Sequence, residues 1–483
     1  MSLLVVGGLV DGVPSDVRIE GGRIVEVAAG LRRSAGEELL DAAGGEVLPG
    51  LHDHHVHLRA TAAAARSVRV GPPNVVGRAE MAAVLREAAA ELGPGEWVRA
   101  VGYHDTVAGP LDRFVLDAMV GERPVRVQHR SGALWVLNSA GMAALGVDGD
   151  WPEGAERDPD GAPNGRLFRL DAWLRERWPA GPDAGATLRA VSEAALARGV
   201  TGLTEATPDL ARAEVNALSA AVAAGDVAQR LTVMAPADVD VPVGARVGRG
   251  PVKVLLDDLT LPVPDELAAQ LAPARRAGLP VAVHCVTAVQ LVVVLAALAR
   301  VGTVPGDRLE HAAVVPTDLM AEVVRLSLTV VTNPAFVETR GDEYLTEVDP
   351  VDLPALYRAG SLLGAGVALG AGTDAPFGPS DPWVAVRAAV RRTTGLGRLL
   401  GPREGVPLRR AVALFGGRAD APAVARTVTP GQPADLCVLA GPLDDDAVLG
   451  PGGPGVTATV VAGQVCFTSE EERPVGAGGK AHR

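Results

Sequence analysis

Cysteine is nearly absent from this chain: three occur in 483 residues, Cys285, Cys437 and Cys466, in no paired spacing. That excludes a disulfide framework and a Cys-based zinc finger, and it fits a reducing compartment. Lysine is scarcer still, because among 45 basic residues only Lys253 and Lys480 are lysines. Nearly every generic positive charge is written as arginine, so a lysine in mid-chain asks for a reason other than charge. No Lys/Arg-rich stripe interrupts the net charge of -13, which argues against a nucleic-acid partner. Long apolar runs are missing too. The longest helix-like one, Val286 to Ala299, is too short to span a bilayer and contains Gln290. The start, Met1 to Val10, lacks a basic n-region and runs into Asp11 and Gly12, unlike a secretory signal. The expectation is a cytoplasmic protein with a small-molecule substrate and neither nucleic acid nor membrane as partner.

What is present is the balance of a folded enzyme: 48% hydrophobic and 21% charged residues, with 58 Gly and 37 Pro spread along the chain. The length suffices for one large and one smaller domain. Short apolar runs and turn glycines open the chain (Leu3 to Val6, Val17 to Ile19, Arg23 to Val27). The texture returns at Ala434 to Ala440 and Thr457 to Val461, with a tight turn at Gly463-Gln464 before Val465 to Phe467. The two ends, 1–48 and 408–468, are therefore expected to pair into a small β-sandwich domain, with 469–483 a flexible tail. Between them, helical stretches precede strand-like runs: Leu188 to Ala197 then Val200 to Leu203, Leu267 to Ala277 then Leu279 to His284, Leu319 to Leu326 then Leu328 to Val331. That rhythm predicts an α/β fold, a (β/α)8 TIM barrel over 49–407, in preference to a doubly wound sheet, since no G-x-G-x-x-G turn supports a nucleotide fold. Trp, Pro and Gly clusters break the rhythm at about 59–183, read as a large insertion over the barrel mouth.

The strongest chemical signal is Leu48-Pro49-Gly50-Leu51-His52-Asp53-His54-His55-Val56-His57-Leu58. Two residues apart on a strand, His55 and His57 point to one face, and Asp53 shares their parity, so the segment is a metal chelate in the making. His52 and His54 have the opposite parity and are expected to pack elsewhere. Three more polar residues stand at or near the ends of apolar runs: His284, His311 and Asp374. In a (β/α)8 barrel such positions converge on one mouth, and neutral imidazoles with one carboxylate suit Zn²⁺ or a similar borderline divalent ion. Lys253 lies in Pro-Val-Lys-Val-Leu-Leu, a buried-strand composition that penalises an ammonium. An ion pair with Asp257 or Asp258 is one reading. The other is carboxylation, since a neutral primary amine can add CO₂ to become a carbamate whose two oxygens can bridge two metal ions, and arginine cannot.

The order His-x-His, Lys, His, His, Asp resembles the metal-dependent amidohydrolase superfamily, and within it the YtcJ-like (amidohydrolase 3) branch that includes N-substituted formamide deformylase. The segments that carry the resemblance are Pro49 to Leu58, Gly132 to Ala140, Val252 to Asp257, Val281 to His284, Arg308 to His311, Gly372 to Pro376 with Asp381 to Trp383, and Pro430 to Leu436. The resemblance implies a barrel flanked by a β-sandwich from both termini. It further implies two divalent metal ions: His55, His57 and Asp374 on the more buried one, His284 and His311 on the other, and a carboxylated Lys253 bridging them. The metals would produce a bridging hydroxide that attacks an amide-type C–N bond, with Asp374 the catalytic residue that takes its proton and passes it to the leaving amine. A homodimer is expected on the same ground. No G-x-S-x-G motif offers a serine nucleophile instead.

The chain departs from the family in two places. Asp257 is followed by Asp258 rather than glycine, and Ala133 replaces the usual His after Ser-Gly, while His129 stands four residues earlier. Tyr103, His129 and Arg130 are the candidates for substrate contact in this region. Three other readings compete: a mononuclear deaminase with Glu205 as its acid, a cyclic-amide hydrolase with the same metal logic, and a non-catalytic scaffold relative, whose expected sign would be a lost metal ligand.

Overall fold

A computed structural model describes residues 2–93, 95–147, 151–178, 184–450 and 452–469; all but the first residue of the expected tail lies outside these. The chain divides into two compact units. One comprises Met1–Leu58 and Leu188–Arg483, and the other Arg59–Thr187.

The first unit opens with hairpins whose turns explain their residues. Asp11 (φ 52°) and Gly12 (φ 77°) join Ser2–Val10 to Val13–Glu20, and the Gly21-Gly22 pair joins the latter to Arg23–Ala28. Two successive positive φ values are what a two-residue turn between right-twisted strands requires. With Glu38–Asp41 these strands form a four-stranded sheet. A second four-stranded sheet orders Gln464–Thr468, Val456–Val461, Leu436–Leu439 and Val47–Pro49, so that N-terminal Val47 pairs antiparallel with C-terminal Val438. Its hairpin turns at Ala462 (φ 51°) and Gly463 (φ 79°), one residue earlier than the Gly463-Gln464 reading, because the ladder resumes at Gln464 paired with Val461. Alternate residues of both sheets share one core: Leu3, Val5, Val17 and Ile19 meet Leu436, Val438, Ala458 and Val460.

The rest of this unit is parallel β-structure. One four-stranded sheet runs Leu51–Val56, Val200–Glu205, Arg230–Val233, Val247–Arg249; a five-stranded one runs Val252–Val254, Val281–Cys285, Arg308–His311, Thr329–Thr332, Ala368–Ala371. A backbone bond from Gly250 N to Val233 O carries the pairing of the four-stranded sheet one residue past Arg249. Backbone bonds tie the two sheets where the last strand meets the first, from Asp374 N to His55 O and from His57 N to Ala375 O. The connecting helices carry their own start and stop signals. Pro264–Arg276 begins Pro-Asp-Glu and ends Arg-Arg, in keeping with the helix dipole. Ala288–Val301 is capped by the Thr287 side chain, which accepts from Gln290 N. Gln290 itself is buried, with its Oε1 accepting from Val286 N. Among the described residues no helix is long and apolar enough to cross a membrane.

The second unit is built on a six-stranded mixed sheet, ordered Ala155–Arg157, Pro163–Phe168, Leu134–Leu137, Val125–His129, Val98–Tyr103, Val68–Arg69. The helices Arg78–Glu91 and Arg113–Val120 bury Met81, Leu85, Leu116 and Met119 in its core.

Candidate metal centre

The candidate ligands of the first unit stand within a parallel strand, at its C-terminal part or just beyond it. His55 is the fifth residue of Leu51–Val56 and His57 follows; Lys253 is central in Val252–Val254; His284 and His311 are at the ends of theirs; Asp374 comes three residues after Ala371. Parallel pairing in register therefore brings them together. The metal-ligating atoms of His55, His57 and Asp374 all lie within 4.8 Å of one another. Asp374 Oδ1 is 3.2 Å from His57 Nε2 and 3.5 Å from His55 Nε2, and Lys253 Nζ is 3.5 Å from that same His55 nitrogen. His311 joins them, its ring centroid 4.7 Å from that of His55, with Nδ1 3.9 Å from Asp374 Oδ2. The His284 ring is 4.6 Å from His311.

The backbone here is forced. His311 (φ 68°), Ala312 (φ 44°) and Asp374 (φ 55°) are all left-handed, a conformation disfavoured for side chains with a Cβ. What holds Asp374 in it is Asp53. Its carboxylate accepts from Thr373 N at 2.9 Å, from the Thr373 hydroxyl and from His55 N. Asp53, which shares parity with the two histidines, is thus occupied in latching the Asp374 segment to their strand. Gly372 completes the latch, since a Cβ there would stand 2.5 Å from His55 N. Gly372→Ala is expected to destabilise the fold by about 1–3 kcal/mol through overpacking. A denaturation midpoint unchanged from wild type would refute that close approach.

The imidazoles are anchored through their δ nitrogens. His55 Nδ1 contacts Glu310 Oε2, His57 Nδ1 lies 3.1 Å from Thr207 Oγ1, and His311 Nδ1 lies 2.7 Å from Asn333 Oδ1. Asn333 is oriented in turn by donating from Nδ2 to Gly372 O. The Nε2 atoms of His55 and His57 are thereby turned towards Asp374. These supporting residues were not singled out from the sequence, although Glu310 stands inside the Arg308 to His311 segment and shares a strand face with Arg308.

Electrostatics favour a bound cation. Burial drives His55 well below the ordinary histidine value, with the Lys253 charge adding to it, and burial likewise lowers His311. Burial also lowers Lys253, to about 8, against the raising effect of Glu310 and Asp374. Burial would raise Asp374, but His57, His311 and His55 outweigh it and hold the carboxyl below its usual range. Asp374 Oδ1 is nonetheless buried without a hydrogen bond of acceptable geometry. A buried carboxylate oxygen so placed, beside the Nε2 atoms of His55 and His57, fits a divalent metal ion.

The sequence of the amidohydrolase family matches residues 38–467. The chain belongs to this family. The amidohydrolase is 25% identical over 462 residues to N-substituted formamide deformylase of Arthrobacter pascens, covering 83% of this chain and 84% of that one. It is 22% identical over 420 residues to a Bacillus subtilis (strain 168) protein named as amidohydrolase YtcJ, covering 77% and 79%. In fold it is similar to an uncharacterized metal-dependent hydrolase from Pyrococcus horikoshii OT3, with a TM-score of 0.73, 20% identity, and 91% and 97% of the two chains covered.

The remaining candidates of the amidohydrolase fall as follows. Lys253 does not reach for the acidic pair beyond its strand: Asp257 Oδ1 accepts from Leu259 N, and Asp258 Oδ1 accepts from the Thr287 hydroxyl. Glu205 is fully buried, with one oxygen accepting from Leu58 N and the other from Thr207 N. It holds backbone rather than standing ready as an acid. His52 and His54 stack on each other at 4.5 Å; His52 meets the Thr204 hydroxyl, and nothing in the structure explains why His54 buries both ring nitrogens without a partner. Tyr103, His129 and Arg130 lie together in the second unit. The Tyr103 hydroxyl donates to Gly109 O, His129 Nδ1 lies 2.8 Å from the Ser131 hydroxyl, and Arg130 Nη2 lies 2.9 Å from His104 Nε2.

Proposed function

We propose that this amidohydrolase cleaves a C–N amide-type bond of an N-formyl or N-acyl amide or a related small molecule. The ligands for its two divalent ions, zinc or zinc-like, are His55, His57, Asp374, His284, His311 and a carboxylated Lys253. The observation that carries the reading is the convergence of the His55 and His57 Nε2 atoms on Asp374 Oδ1, with Lys253 Nζ alongside. When bound, the ions would polarise the scissile carbonyl and acidify water. Asp374 then takes the proton of the attacking water and delivers it to the leaving nitrogen. The left-handed backbone at Asp374, latched by Asp53 and Thr373, holds that carboxylate in place for both transfers. In the same reading the nine parallel strand segments make an eight-stranded closed barrel, with Val247–Arg249 and Val252–Val254 one strand broken at Gly250 and Pro251. The bonds at His55 and Ala375, where the last parallel strand meets the first, support it. The two terminal sheets make its β-sandwich, supported by their common core.

The test is metal content by elemental mass spectrometry on protein purified without chelator, run with a panel of N-formyl and N-acyl amides assayed for amine release. About two ions per chain and amine release from a panel member are expected. A chain carrying no metal would overturn the reading. One ion per chain with ammonia release from amino-substituted rings would replace it with the mononuclear deaminase.

A further inference from the structure

Behind His55 lies an ion pair that the proposed chemistry does not itself use. Arg308 and Glu310 are two apart on the Arg308–His311 strand and share a face. Both are buried, Arg308 at 2% and Glu310 at 0% exposure. Glu310 divides its oxygens: Oε1 accepts from Arg308 Nε, and Oε2 contacts His55 Nδ1. Arg308 has a second anchor, Nη2 donating to His54 O at 2.8 Å, so it is tied to the backbone of the strand that carries His55.

A buried ion pair is a poor device for stability, since taking two charges out of water costs about as much as their attraction returns. The geometry gives this one another use. The δ nitrogens of His57 and His311 meet a neutral hydroxyl and a neutral amide oxygen, whereas that of His55 meets a carboxylate. A carboxylate on one ring nitrogen orients the imidazole, keeps the proton on that nitrogen and makes the other a stronger donor to a metal. We propose that Glu310, held by Arg308, is a positioning residue that fixes His55 with its proton on Nδ1 and strengthens Nε2 as a ligand of the more buried ion. The inference rests on the metal-centre reading above and adds a residue to it.

Glu310→Gln keeps the shape and removes the charge. Zinc affinity, measured by chelator competition on the full-length protein, is expected to weaken about 10- to 100-fold. Because that variant leaves Arg308 buried without its counter-charge, the double variant Arg308→Met/Glu310→Gln is measured beside it. The double variant is expected to fold and to show the same weakening. Restoration of wild-type affinity would mean that Glu310 serves only to neutralise Arg308, and would overturn the proposal. Histidine ¹⁵N NMR of the wild type, metal-free and zinc-loaded, needs no variant: the proton of His55 is expected on Nδ1 in both states. Its appearance on Nε2 in the metal-free protein would also overturn the proposal. A wild type that binds no zinc sinks the metal-centre reading, whereas tight wild-type binding with a Glu310→Gln affinity within about twofold sinks the role of Glu310 alone.

Discussion

Asp374→Asn is expected to lower kcat about 10³-fold or more on any amide that the wild type hydrolyses, the size of effect seen when a positioned proton-transfer group is removed. The substitution is nearly isosteric, and the bonds that shape the segment involve its backbone: Asp374 N to His55 O, and Phe377 N to Asp374 O. The fall in kcat is therefore expected from lost chemistry rather than from a rearranged segment. His57, His311 and His55 hold the Asp374 carboxyl below its usual range, against the raising effect of burial, so in the neutral range it is an ionised acceptor. The sign for stability follows. A carboxyl whose folded pKa is depressed stabilises the fold fully above the unfolded value of about 4, and that contribution is lost as pH falls through the lower folded value. An asparagine can neither accept the proton of the attacking water nor return it to the leaving nitrogen. The measurement is kcat with metal content determined on the same preparation. A variant that keeps both its metal and more than about a tenth of wild-type kcat would exclude Asp374 as the proton carrier.

The sequence made the proposed ligand set legible because parallel strands convert order into geometry. Period-two spacing puts His55 and His57 on one face, and an apolar run that ends in a lone polar residue marks where His284 stands, while His311 closes the Arg-Leu-Glu-His segment. Asp53 shows the limit of that rule. Parity places it with the two histidines, but its carboxylate is spent on Thr373 and on His55 N, contacts that arise only when the last parallel strand meets the first. Glu310 likewise meets His55, 255 residues away in the chain, only in the folded protein. Nothing local in Arg-Leu-Glu-His distinguishes a carboxylate that supports a ligand from one that forms an ordinary ion pair. At Ala462 the reading failed for a different reason: glycine is the usual bearer of positive φ, and here an alanine shares the turn, because the register of Gln464 with Val461 leaves the chain no other place to reverse.

The other large effect is expected at Lys253. Metal content should fall from about two ions per chain to one or fewer in Lys253→Ala, and equally in Lys253→Arg, which keeps the charge but has no amine able to add CO₂. Burial lowers the Lys253 pKa to about 8, with Glu310 and Asp374 acting the other way. The neutral amine therefore becomes the major form as pH rises through about 8, far below the range of an exposed lysine. In that form the nitrogen lone pair adds to the carbon of CO₂, an N–C bond forms, one proton is released, and the product is a carbamate anion with two oxygens free to ligate. Reconstitution of chelator-stripped protein with zinc should accordingly be more complete with bicarbonate present than without it, and more so on the alkaline side of 8 than on the acid side. Lys253→Ala should show neither dependence. The alternatives separate cleanly: an ordinary ammonium would leave reconstitution indifferent to bicarbonate, and two ions retained in Lys253→Ala would place the bridging ligand elsewhere. The scarcity of lysine gives the experiment its force: Lys480 is the other lysine of the chain, and a bicarbonate effect that disappears in Lys253→Ala has a single source.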